Sequence, residues 1–441
     1  MNIFTKRELL FLTYCLLFCG LVSCKNASKT GAILPAVEVT DHCSAAPEHT
    51  YEVYIPKRDP SVSKLPLLVI IDSHGSGKFA LDKFKYGANQ YPVVLAASNL
   101  VKNNFPDFVV AIQTLIEDVR KKYPVDGTIY LTGFSGGARM ALSYALAHPV
   151  NGLIVCGALT GPDQLNALQC PVVAISGMDD FNFMETAQYL FQEQATPANL
   201  KIELTDASHD WPDSLMLANT LGFISLSRAG AEAVGSSLDA YCKRQHSRID
   251  TLEKKGDYLK AGTIARNMSS TEPFNQDKTF ATAYHSIKSS SGYTAQLGKL
   301  KQQLSFEMSV RQPYIDAFQS KDMSWWNHEI DLSEEKLKTE KDPYTRDTYL
   351  RIKGFWGIAC FTFGNQALQS HNSGMLNRIV PIYKRLEPEN PYVYYFSAFT
   401  YFWKGDEATT VSMLKKALEK GFTDSAQLNK DFPASIISQL H

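Results

Sequence analysis

Short runs of apolar and β-branched residues at 66–72, 92–97, 129–132, 153–157 and 172–176 constrain this chain more than anything else in it. Continuous rather than alternating, they have the composition of strands covered on both faces of a parallel sheet. An alternating run at 51–55 adds an early strand and 201–205 a last one. Between them lie helical patterns, beginning at 78 and spanning 105–123, 136–148, 184–194 and 213–226. In 105–123 the apolar residues Val109, Ile112, Ile116 and Val119 recur at helical spacing. Strands alternating with helices predict a doubly wound, mostly parallel α/β sheet with right-handed crossovers. Such sheets place their active sites at the carboxyl ends of the strands.

The pattern changes near residue 229. Beyond it only helical segments are legible, at 231–244, 249–267, 294–318 and 325–338. With 441 residues the chain is also long for one core. An α/β domain over 48–228 followed by an all-α domain over 230–441 is the expected division. In the last hundred or so residues, Tyr394, Ala398, Tyr401, Gly405, Leu414 and Ala417 match the spacing of a tetratricopeptide repeat of about 34 residues. Gly364, Val380 and Pro388 fit the preceding window in part, while Thr410 and Phe422 depart from the pattern. A tetratricopeptide-like domain with a protein-partner surface and a generic helical bundle both remain open.

The N-terminus reads separately. Lys6 and Arg7 precede an apolar run that ends in Leu21-Val22-Ser23-Cys24, the layout of an export signal. The tetrapeptide resembles the bacterial lipobox, which implies that residues 1–24 are a lipoprotein-type signal, that Cys24 carries a lipid anchor and that 25–47 form a tether. The alternative is a plain signal peptide cut nearby. An exported, membrane-anchored envelope protein is expected. No internal stretch approaches the ~20 apolar residues of a membrane span. Lys and Arg number 44 against 45 Asp and Glu, which leaves no electrostatic case for a nucleic-acid partner. Cys43, Cys156, Cys170, Cys242 and Cys360 show no zinc-ligand spacing, and allow one or two disulfides at most. No metal or cofactor is expected.

The chemistry concentrates where the run at 129–132 meets the helix at 136–148, in Gly133-Phe134-Ser135-Gly136-Gly137. A serine raised on a sharp strand-to-helix turn needs small neighbours, and the helix N-terminus behind it offers N–H groups to a developing oxyanion. Such a serine needs a base, and an acid to orient the base, in the chain order Ser, Asp, His. Both follow, each in a loop after a strand: Gly177-Met178-Asp179-Asp180, then Ser208-His209-Asp210-Trp211-Pro212.

Together with the His74-Gly75-Ser76-Gly77 turn, these segments resemble the secreted esterase branch of α/β-hydrolases, which includes feruloyl and acetylxylan esterases and poly(3-hydroxybutyrate) depolymerases. The resemblance spans roughly residues 51–226. It implies a Ser135–His209–Asp180 triad, with Asp179 the alternative acid, and an oxyanion hole from the backbone N–H groups of Ser76 and Gly136. Ser208 stands where that branch usually has glycine. His74 reads as turn packing, His148 as a helix cap, Trp211 as pocket lining or a packing post, and Asn99, Asn103 and Asn104 as residues near substrate. The expected substrate carries carboxylic esters, including acyl groups on polysaccharide. A peptidase of the same fold, and a tetratricopeptide-type scaffold with an inactive hydrolase domain, are the competing readings. The connection after 153–157 is too short for a lid, so the site is either open or covered by the C-terminal helices, the second being preferred.

Overall fold

The computed structural model describes residues 33–191, 196–229 and 235–440. The expected export signal, Cys24 and the start of the tether lie outside the described residues. Eight strands form one sheet: β1 (Val37–Cys43), β2 (Ala46–Ile55), β3 (Leu65–Ile71), β4 (Val94–Ser98), β5 (Val125–Phe134), β6 (Gly152–Cys156), β7 (Val172–Gly177) and β8 (Leu200–Thr205). Their order is β1-β2-β4-β3-β5-β6-β7-β8. β2 runs antiparallel to both β1 and β4, and every pairing from β4 to β8 is parallel. This is the α/β-hydrolase arrangement, and strand order reverses around β3, where β4 lies on one side and β5 on the other.

Residues 37–47, expected in the tether, belong instead to the sheet edge. Most of β1 faces solvent, so it lacks the apolar signature of a buried strand. What anchors it is polar: the Ser44 N–H donates to Asp118 at 2.8 Å, and Tyr51 of the neighbouring strand donates to the same carboxylate.

Helices α1 (Gly77–Gln90), α2 (Phe108–Lys122), α3 (Gly136–Ala147), α4 (Pro162–Ala167), α5 (Phe183–Phe191) and α6 (Ser214–Ala229) connect the strands. α1 packs on α6 so tightly that a Cβ on Gly87 would lie 2.9 Å from Ala218 Cα. α2 packs on α3, where Tyr144 donates to Gln113. One helix pair thus covers each face of the sheet, which is why β3 and β6 are apolar throughout and β4 is apolar up to its final Ser98.

The rest is helical: α7 (Ser236–Lys254), α8 (Tyr258–Ser269), α9 (Lys278–Lys288), α10 (Ser291–Ser320), α11 (Met323–Thr339), α12 (Pro343–Gln369), α13 (Ser373–Leu386), α14 (Pro391–Phe402), α15 (Glu407–Glu419), α16 (Ser425–Asp431) and α17 (Ala434–Ile437). Asp322, Asp342, Asn372, Asn390 and Asp406 each cap a following N-terminus by accepting a backbone N–H. The first break falls later than expected. α7 runs unbroken through 245–248, and the chain turns at Gly256, whose φ of 75° suits a residue without Cβ. Asp257 then starts α8 as its cap.

Packing does not divide where the sequence pattern does. One apolar core runs from the sheet into α7–α9 and the first half of α10, including Ile249, Leu259, Phe280 and Leu304. A second core surrounds Trp326, Trp356 and Phe396. Cys43, Cys156, Cys170, Cys242 and Cys360 are free thiols. No helix among the described residues is long and apolar enough to cross a membrane.

Candidate active site

β5 ends at Phe134, α3 begins at Gly136, and Ser135 between them has φ 53° and ψ −115°. A non-glycine residue held at positive φ is strained, and this one is held from several sides. The Ser135 N–H donates to the Cys156 carbonyl at 2.8 Å. A Cβ on Gly133 would lie 2.3 Å from the Gly137 carbonyl carbon, and one on Gly137 would lie 2.1 Å from the Ile71 carbonyl oxygen. Only glycine lets these backbones meet, and their meeting fixes the turn.

His209 joins the three loops. Its Nε2 lies 2.8 Å from Ser135 Oγ, and its Nδ1 lies 2.9 Å from both Asp180 carboxylate oxygens. With Nδ1–H donating to Asp180, Nε2 is the acceptor for the Ser135 hydroxyl. Asp180 is buried and also accepts the Asn182 N–H at 2.8 Å. The His209 ring sits between Phe181 and Phe134, with centroids 4.2 and 4.7 Å away. The loops after β7 and β8 are in backbone contact, since a Cβ on Gly177 would lie 1.9 Å from the Ala207 carbonyl oxygen. Asp180, and not Asp179, faces the imidazole. Asp179 turns into the protein, where burial raises its pKa.

The turn after β3 is built differently from expectation. The Ser76 N–H, expected in the oxyanion hole, donates to Asp72 Oδ1 at 3.1 Å, and the His74 N–H joins it at 2.9 Å. Asp72 Oδ2 accepts the Trp211 indole N–H at 2.8 Å. Asp72 is buried, and a buried carboxylate needs its acceptor capacity filled, which draws these donors away from the serine. The Gly136 N–H lies in the first turn of α3, where backbone donors lack intrahelical acceptors.

Trp211 is therefore a packing post, buried edge-on against Phe84. The His74 side chain is 74% exposed, and its Nδ1 lies 3.2 Å from Ser73 Oγ within the same turn. His148 caps α3 through its backbone N–H, which donates to Tyr144. Asn99 is structural, donating to Glu52 at 3.0 Å and to Thr50. Asn103 approaches the serine turn: its Oδ1 lies 1.7 Å from where a Gly136 Cβ would stand. Asn104, at φ 63°, shapes the same loop. Lys102 in that loop pairs with Asp424 at 3.2 Å, so the helical half reaches this side of the site.

Among the described residues no group of three or more His, Cys, Asp or Glu side chains could hold a metal ion. A cavity of about 400 Å³ lies between β8 and helices α7 and α8, lined by Glu203, Asp206, Arg248 and Lys260 among others. Ser135, His209 and Asp180 do not line it.

No family model matches this chain, and no curated protein does. Among solved structures it is similar to Est1E from Butyrivibrio proteoclasticus at 14% identity, over 43% of this chain and 98% of that one, with a TM-score of 0.35. It is similar to an α/β serine hydrolase without a lid from Xanthomonas campestris at 20% identity, over 44% and 95%, with a TM-score of 0.32. It is also similar to a dienelactone hydrolase-like promiscuous phosphotriesterase from metagenomic libraries at 15% identity, over 42% and 87%, with a TM-score of 0.33.

Proposed function

We propose that this protein is a serine hydrolase that cleaves carboxylic esters through Ser135, His209 and Asp180. The observation that carries the reading is the single imidazole bonded to Ser135 on one nitrogen and to buried Asp180 on the other. Ser135 Oγ attacks the acyl carbon while its proton passes to His209 Nε2. Asp180 keeps the other nitrogen protonated and stabilises the imidazolium. The Gly136 N–H and the α3 N-terminus receive the carbonyl oxygen as it becomes an oxyanion. Collapse releases the alcohol, which takes the proton from His209 and leaves an acyl-serine. Water, deprotonated by His209, then cleaves that ester and frees the acid and Ser135.

Purified protein treated with a fluorophosphonate is expected to carry one adduct on Ser135, absent in Ser135→Ala. No wild-type adduct would favour the scaffold reading. A panel of acetyl, feruloyl and peptide substrates then identifies the bond. Esters on polysaccharide are the proposed class, and preference for peptides would overturn it.

The same reading takes residues 1–24 as a lipoprotein-type signal segment cleaved before Cys24, which becomes the lipid-anchored first residue of an envelope protein. The helix pairs α12–α13 and α14–α15 are taken as tetratricopeptide-like units with a surface for a protein partner. Incorporation of a clickable fatty acid that is lost in Cys24→Ser tests the anchor.

A further inference from the structure

The loop that carries Asp180 is gripped from the helical half of the chain. Arg351 of α12 donates to the Met178 carbonyl, two residues before Asp180. Arg311 of α10 donates to the Phe181 carbonyl, one residue after it, at 2.6 Å. Glu307 ties the two guanidiniums together, accepting from Arg311 at 2.6 Å and from Arg351 at 2.7 Å. Thr348 takes a further Arg351 N–H at 2.8 Å. The side chains of Arg351 and Glu307 are both 0% exposed. The grip extends to the rings: the Arg351 guanidinium lies 5.3 Å from the Phe183 ring, and Gly354 of α12 is close enough to Phe181 that a Cβ would lie 3.2 Å from its ring. Phe181 in turn lies against His209.

A fully buried Arg351–Glu307 pair, with Arg311 partly exposed beside it, is a poor device for stability, because desolvating the pair offsets its attraction and apolar side chains would hold two helices together as well. What apolar side chains cannot do is fix two carbonyl oxygens at defined places. A guanidinium can, since its donors form a rigid planar fork. The cluster spends that fork on the two peptide groups that bracket Asp180.

We infer that Arg351 and Arg311, locked by Glu307, are positioning residues for the triad acid, so the helical half is a working part of the active site. The inference rests on the Ser135 hydrolase reading. Arg351 and Arg311 touch no reacting atom; they act through Asp180 and Phe181 on His209. An acid held off its bond to Nδ1 stabilises the imidazolium less, so His209 should accept and return the Ser135 proton less well.

The test compares full-length wild type with Arg351→Met, Arg351→Lys and Arg311→Met, on one ester substrate and by the pH dependence of fluorophosphonate labelling. The expected result for Arg351→Met is a kcat lower by about tenfold or more, KM within roughly twofold, and an acid limb moved down by about half a pH unit or more. Arg351→Lys keeps the charge without the fork and should restore part of the rate. A merely structural role would lower yield and melting temperature while the folded fraction kept its wild-type kcat and acid limb; that outcome overturns the inference. Should Arg351→Met not fold, Arg311→Met decides by the same criteria, its side chain being 26% exposed. A wild-type adduct with unchanged variant profiles overturns the inference alone, whereas no wild-type adduct overturns the hydrolase reading with it.

Discussion

Gly137 stands so close to Ile71 that a Cβ on it would lie 2.1 Å from the Ile71 carbonyl oxygen. Backbone on both sides of that contact cannot swing away, so Gly137→Ala should destabilise the fold by about 1–3 kcal/mol, the range for overpacking. Gly136→Ala meets only the tip of the Asn103 side chain, which is exposed and free to rotate. It should unfold within about 0.5 kcal/mol of wild type. Chemical denaturation of both variants checks the contrast.

Asp179 and Asp180 are adjacent and chemically identical, yet only Asp180 bonds His209. Asp180→Asn should lose at least about a thousandfold in kcat, because the imidazole is then held in the wrong tautomer. Asp179→Asn should keep kcat/KM within about threefold, and should lose the cost of a buried carboxylate whose pKa is raised. Steady-state kinetics on the two variants reads both numbers.

Trp211 supplies one of three donors to buried Asp72. Trp211→Phe keeps most of the packing and removes the N–H, leaving a carboxylate oxygen short of a partner. The expected cost is about 1–3 kcal/mol in denaturant unfolding. Its effect on rate should be smaller than that of any triad substitution, since the indole lies behind the β3 turn rather than on the serine.

The parts of this molecule that were legible in the sequence are those that depend on neighbours in the chain. Apolar runs of strand length gave β3 to β7, because burial on both faces demands such residues. The Ser135 turn was legible because backbone crowding requires glycines at fixed offsets. Asp180 and His209 could be placed because each follows a strand in a parallel sheet, and the carboxyl ends of such strands converge. What could not be read depends on residues far apart. The carboxylate of Asp72 that accepts the Ser76 N–H is completed on its other oxygen by Trp211, 139 residues away. β1 escaped notice since its outer face is wet. Nothing local marks Arg351, which lies in α12 and meets Met178 across 173 residues of chain.

Asp347 gives the protein a stability that should fall as pH rises through weakly acidic values. Burial pushes its carboxyl up from 3.8 to about 6; Arg351 and Lys260 oppose the shift, and Asp179 and Asp206 add to it. Between pH ~4 and ~6 the native state therefore binds more protons than the unfolded chain, whose aspartates titrate near 3.9. Stability attributable to this group declines across that window and stays lower above it. Asp347→Asn removes the charge that must be buried. It should match wild type near pH 4 and exceed it by about 1 kcal/mol at pH 7, after allowance for solvent screening of a half-buried group. Urea unfolding of both proteins at pH 4, 5, 6 and 7 measures the difference. A constant gap, or a gap that closes as pH rises, would show that Asp347 does not carry the effect.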